Sequence, residues 1–181
     1  MAEGGVERLR SLPMARSAVL VGRTGAELAA SVIGMAVLVA TGLVLGWRID
    51  AGAGSAVGAI AILLLFAYAM SWVGTLLGLL VRAPDAAQGI MFLVMFPLTF
   101  VANTYVPTGT MPDWLQTFAD WNPISAVTAA VRQLFGNAGA APADAAWPLQ
   151  HPVVAAVAWS VLLLAVSSSL AVWRFKRATT R

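Results

Sequence analysis

Apolar residues run along this chain in long unbroken blocks, and short stretches between them hold nearly all of its charge. A helix needs about 20 such residues to cross a bilayer, because the hydrocarbon core is about 30 Å thick and each residue rises about 1.5 Å. Four blocks meet that length: residues 28–47, 51–81, 86–106 and 153–173. The first two contain no charged residue, and the second is longer than one crossing needs, which predicts a tilt or an overhang. Pro97 falls inside the third and removes one backbone donor there, which predicts a kink. The pattern predicts an all-α polytopic membrane protein with four transmembrane helices. Residues 1–27 form a segment before the spans, 28–173 the transmembrane domain and 174–181 a basic tail.

One stretch fits neither a span nor a solvent loop: TYVPTGTMPDWLQTFADWNPISAVTAAVRQLFG, residues 104–136. Thr110, Pro112 and Asp113 have the form of a helix start, with Thr110 as cap, Pro112 in the first turn and Asp113 as the capping acid. Trp114, Leu115, Phe118 and Trp121 then fall on one apolar face, and Asp113, Gln116, Thr117 and Asp120 on the other. Asn122 followed by Pro123 starts a second helix, with Ile124, Val127, Val131 and Phe135 at helical spacing and Gly136-Asn137 as its stop. That second helix is about 20 Å long, too short to cross. The economical arrangement is a helical hairpin over residues 110–136, either re-entrant or lying in the interface. A re-entrant hairpin requires its turn at Trp121–Asn122 to pack against the spans, since irregular backbone at membrane depth survives only under cover.

Charge orients the spans. Nine of the eleven Lys and Arg residues lie in the N-terminal segment, at Arg82 and in the C-terminal tail; Arg48 and Arg132 lie on the other side. By the positive-inside rule both termini are cytoplasmic and the hairpin faces outward, in the plasma membrane. Trp47 and Trp173 fit an interfacial aromatic belt. Ten Arg against one Lys, with many Ala and Gly, points to a GC-rich bacterial genome. The basic residues form no patch interleaved with aromatics, which argues against a nucleic-acid partner. The first apolar run begins only after Glu27 and is too long for a signal-peptide core.

The chemistry is sparse. There is no cysteine, and no span carries an ionisable residue in its core, which argues against ion-coupled transport and against most membrane enzymes. Asp113, Asp120, Asp144 and His151 are the outward candidates for an acid–base or metal site, and their spacing matches no catalytic motif. Ser167, Ser168 and Ser169 lie mid-span without a base, so packing or helix–helix hydrogen bonding is the better reading. No P-loop sequence occurs, so no ATP or other cofactor is expected on this chain; active transport would draw on another subunit.

The hairpin stretch resembles the C-terminal signature of ABC-2 type transporter permeases, in particular the daunorubicin-resistance-like drug-export branch. The matching features are Val106-Pro107, then Met111-Pro112-Asp113-Trp114-Leu115, then Asn122-Pro123, then an alanine-rich helix with Arg132. The opening GGVERLRSLPMARSAVLVGR is similar to the family's cytoplasmic segment between its second and third spans. Family permeases usually have six spans, so the resemblance implies that this chain corresponds to the C-terminal two-thirds of one, or begins at a misplaced start.

The resemblance implies a permease subunit of an ABC exporter, paired with a second permease copy and with two P-loop ATPase subunits that hydrolyse the ATP. The substrate would be a hydrophobic drug, a lipid or a glycolipid. It implies an external gate at Pro107, Pro112, Trp114, Asn122, Pro123 and Arg132, and ATPase coupling through Val6, Arg8, Leu9 and Arg10. Without the resemblance, that N-terminal segment reads as a basic helix resting on anionic lipid. Phe92, Phe96 and Phe100, with Met95 and Tyr105, are candidates for a substrate path, or for packing and lipid contact. Gly42 and Gly46, Gly54 and Gly58, and Gly74 and Gly78 are small residues four apart that permit close helix approach. Arg23 and Glu27, also four apart, form a candidate surface pair. The rival reading is a non-transport membrane protein, an assembly factor or structural partner.

Overall fold

The computed structural model describes residues 16–81, 84–102, 111–139 and 145–178. Every regular element among them is a helix: α1 (Arg16–Val44), α2 (Ala53–Leu80), α3 (Pro84–Val101), α4 (Asp113–Asp120), α5 (Pro123–Phe135), α6 (Trp147–Gln150) and α7 (Pro152–Ala178). This is the form a chain takes when its apolar blocks must satisfy every backbone group internally. Among the described residues three helices are long and apolar enough to cross a membrane, over Gly25–Val44, Ala53–Leu80 and Pro152–Arg174. The third block of the sequence gives a shorter apolar helix, Gln88–Val101. Helix α3 ends at Val101, and the rest of that block, from residue 103, lies outside the described residues. Its 18 residues rise about 27 Å, close to the thickness of the hydrocarbon core.

Helix α2 is the hub: it packs against α1, α3, α5 and, most extensively, α7. Its buried positions are Ala59, Ile62, Ala69, Trp72 and Thr75, spaced at three and seven so that they line one stripe. Helix α7 answers with Ala156, Ser160, Ser167 and Ala171, all buried and spaced at four and seven. Ile62 shares a cluster with Ala156, and Trp72 shares another with Ala171. The contacts advance in the same sense along both helices, so α2 and α7 run parallel. Small side chains let their backbones approach. The seam is therefore built from Ala and Ser four apart, not from the glycine pairs: Gly74 and Gly78 face open space. The mid-span serines bond within their own helix. Ser167 Oγ donates to Leu163 O at 2.5 Å and Ser160 Oγ to Ala156 O at 2.7 Å, which satisfies each hydroxyl without a partner helix.

The flanking faces of α1, α3 and α7 are apolar and exposed, including Ile33, Leu38, Phe92, Leu93, Leu162 and Leu170. Lipid tails suit such faces as well as a protein core would.

Candidate functional site

The hairpin is built from its ends. Asn122 takes an extended conformation before α5, and its Oδ1 accepts the N–H of Ile124 at 2.9 Å. Pro123 occupies the first helical turn, where no N–H is needed. At the other end Gly136 adopts a left-handed conformation, φ +80°. Its N–H reaches Gln133 O at 3.1 Å and that of Asn137 reaches Arg132 O at 2.9 Å. This is the Schellman arrangement, which satisfies carbonyls that the helix itself leaves open. The start and stop expected from the sequence are both found.

Helix α4 differs from expectation at its start. Pro112 sits at the cap position instead of inside the first turn, with no side-chain cap bond. Its carbonyl accepts the N–H groups of Leu115 and Gln116, each at 2.9 Å, so the helix begins at Asp113. Thr110, the expected cap, lies outside the described residues, as do Pro107, Tyr105 and Asp144.

The packing of α5 shows what the hairpin rests on. Helix α5 packs against both α2 and α7. Gly58 lies beside Leu134, while Ile62 clusters with Val127 and Ala130. Moving forward along α2 thus moves backward along α5, so α5 runs antiparallel to α2, with its N-terminal end furthest from the α1–α2 connection. Ile62 stands about 14 Å along α2 by the helical rise, and Asn122 lies beyond the level of Val127. The turn therefore packs along the side of the bundle, beyond the level of Ile62. It is covered there: Asn122 is 3% exposed, and its Nδ2 donates to Leu98 O on α3 at 2.7 Å.

The same side chain thus caps α5 and ties the hairpin to α3. Leu98 O already accepts the N–H of Ala102 at 3.1 Å, so it uses both lone pairs. On α3, Phe92, Phe96 and Phe100 form a ladder, with ring centroids 5.3 and 4.5 Å apart. With Met95 and Thr99 they line an open groove of about 460 Å³. The Asn122 turn is thus tied to the same helix that carries the phenylalanine path.

Helix α4 is reversed relative to a soluble amphipathic helix. Trp114, Phe118 and Trp121 form the expected apolar row, but they point away from the bundle at 73%, 56% and 52% exposure. Asp120, expected on the outer polar face, is 5% exposed. The face turned inward is mixed, with Ala119 and Asp120 buried and Leu115 and Gln116 half-buried, while Asp113 and Thr117 stay exposed. Arg132 is exposed on the last turn of α5, where a cation complements the partial negative charge of the helix end.

Trp47 does more than sit in an interfacial belt. Its ring meets Phe135 edge-on at 4.9 Å and its Nε1 donates to Asn137 Oδ1 at 3.0 Å. Sequence reasoning gave Asn137 only the role of a stop; the partner is 90 positions away, and no local pattern points to it. His151 stacks on Trp147 at 5.3 Å and is exposed. The proposed coupling residues Val6, Arg8, Leu9 and Arg10 lie outside the described residues, and so does the side chain of Arg23.

Three long apolar helices among the described residues, packed with a short helical hairpin, define a multi-pass membrane protein. The sequence over residues 1–135 matches the model of the ABC-2 type transporter family. The chain belongs to that family. It is 36% identical over 138 residues to a daunorubicin resistance ABC transporter permease of Streptomyces coeruleorubidus, covering 76% of this chain and 49% of the relative. It is 27% identical over 167 residues to a doxorubicin resistance ABC transporter permease of Mycobacterium tuberculosis, covering 92% of this chain and 58% of the relative. A second M. tuberculosis protein, a probable doxorubicin resistance ABC transporter permease, is 25% identical over 177 residues, covering 98% of this chain and 60% of the relative. The chain thus spans half to three-fifths of the length of these relatives. No solved structure matches it significantly.

Proposed function

We propose that this chain is the membrane-spanning permease part of an ABC exporter. It moves a hydrophobic drug, a lipid or a glycolipid with energy from ATP hydrolysed on a separate pair of P-loop ATPase subunits. The observation that supports this most is the seat of Asn122 on α3, which joins the hairpin turn to the helix bearing Phe92, Phe96 and Phe100. An apolar groove beside a tied hairpin suits an amphipathic cargo moving along the bilayer. The relatives' descriptions name resistance to two drugs, daunorubicin and doxorubicin.

In this reading both termini are cytoplasmic and a second permease copy completes the pathway. The segment with Val6, Arg8, Leu9 and Arg10 docks on the ATPase, and the hairpin, with Pro107, Pro112, Trp114, Asn122, Pro123 and Arg132, gates the outer exit. ATP binding closes the ATPase pair, and α1, which follows the docking segment directly, receives the motion.

The test is purification of the tagged protein from its native membrane in mild detergent, together with daunorubicin efflux from cells that express it. The expected result is a stoichiometric P-loop ATPase and lowered drug accumulation. Absence of an ATPase, under conditions that keep a control exporter intact, would favour an assembly or structural partner instead.

A further inference from the structure

The C-terminal end of α5 and the connection between α1 and α2 meet in a junction that the gate residues do not explain. The carbonyl of Phe135, the last residue of α5, accepts two backbone N–H groups from that connection, Asp50 at 3.0 Å and Ala51 at 3.2 Å. The Asn137 side chain bridges the same connection. Its Oδ1 accepts from Trp47 Nε1, and its Nδ2 lies 3.2 Å from Asp50 Oδ2 and 3.3 Å from Arg48 O. Trp47 in turn belongs to the end of α1. Its N–H donates to Gly42 O at 2.9 Å, and its ring packs over Gly42 with only glycine's space to spare. Approach at Gly136 is closer still: a Cβ there would stand 2.8 Å from Ala51 N.

This junction matters because of how α1 is held elsewhere. Its membrane run is unburied and its principal neighbour is α2, across an apolar groove between Met35, Val39, Leu43, Ile60 and Leu64. Apolar contacts between such faces slide easily, since lipid replaces them at little cost. Directional hydrogen bonds do not. Trp47 and Asn137 therefore fix the end of α1 to the hairpin in a way its long side does not.

We propose that the junction is a latch, with Asn137 as its positioning residue. It makes the hairpin follow the end of α1, and Asn122 at the opposite end of α5 passes the displacement to α3. The transmission rests on the exporter reading; the tie itself does not.

The cysteine-free sequence allows a direct test. Spin labels are placed at Leu45→Cys and Gln133→Cys, both exposed, in the complete complex reconstituted in lipid, and the distance distribution is measured. Asn137→Ala and Trp47→Phe are then added separately; the second keeps an aromatic ring at the site and removes the donor. Gln150→Ala, whose side chain bonds Ala145 O remote from the latch, is the control. The expected result is a distribution broadened several-fold by both latch variants and not by the control. With it, daunorubicin efflux falls while ATP hydrolysis and complex yield persist, because a purely structural fault would lower all three. An unbroadened distribution overturns the latch. Broadening with undiminished efflux, or with efflux and hydrolysis lost in proportion, overturns the transmission. If the parent complex shows no ATP-driven efflux, the exporter reading falls, and the distance widths alone uphold or overturn the tie.

Discussion

The two helices of the hairpin carry similar instructions and meet opposite fates. Each is short, each has a proline at or just before its first residue, and α4 has the sharper division between apolar and polar faces. Yet α5 is enclosed between α2 and α7 while α4 shows its tryptophans to the outside. The difference lies in their ends. Helix α5 has a side-chain cap at Asn122, a glycine stop at Gly136 and backbone acceptors filled by Asp50 and Ala51. Helix α4 has no side-chain cap and closes on its own backbone, the N–H of Trp121 reaching Thr117 O at 3.2 Å. In hydrocarbon, apolar side chains are at home on any face, so hydrophobicity does not decide which helix goes in. Closure of the helix ends does, because each open backbone group there costs several kcal/mol.

The sharpest way to break that contrast is Gly136→Ala. A left-handed conformation costs a non-glycine residue about 1–2 kcal/mol, and the new Cβ would collide with the backbone N of Ala51. The expected loss is about 2 kcal/mol or more, read as a lowered Tm and a reduced yield of folded protein in detergent. Asn122 comes next. Asn122→Ala removes the cap and the tie to Leu98 together, with an expected loss of about 1–3 kcal/mol. Asn122→Ser keeps a neutral capping oxygen and lacks the amide that reaches α3, so comparison of the two in a thermal-shift assay separates the roles. On the exposed side, Trp114→Ala and Arg132→Ala should change stability by no more than about 0.5 kcal/mol while lowering export. Unchanged efflux in both, with insertion intact, would remove them from the gate.

How much of this was legible beforehand follows the range of the interactions. The Asn122-Pro123 start and the Gly136 stop are local devices, and their residues announce them. The long apolar blocks announce the membrane and most of the helices within it. The direction in which α4 faces was not legible: an amphipathic pattern states that two faces differ, not which one meets protein when the surroundings are themselves apolar. The α2–α7 seam was hidden for a related reason. In a chain so rich in Ala and Gly, many pairs four apart look suitable, and only packing selects Ala156 with Ser160 and Ser167 with Ala171 over Gly74 with Gly78. The junction of Trp47, Asp50 and Asn137 joins residues nearly 90 positions apart, each of which has an adequate local explanation: belt, loop and helix stop.

The packing of the hairpin along α2 is the feature on which the rest depends, and paired cysteines measure it directly in native membranes. Two pairs would be oxidised in parallel: Gly58→Cys with Leu134→Cys near the entry of α5, and Ile62→Cys with Val127→Cys deeper along α2. Efficient intramolecular cross-linking of both pairs is the predicted result. Cross-linking at 58–134 without any at 62–127 would mean that the hairpin touches the bundle only at its rim, and would contradict the account.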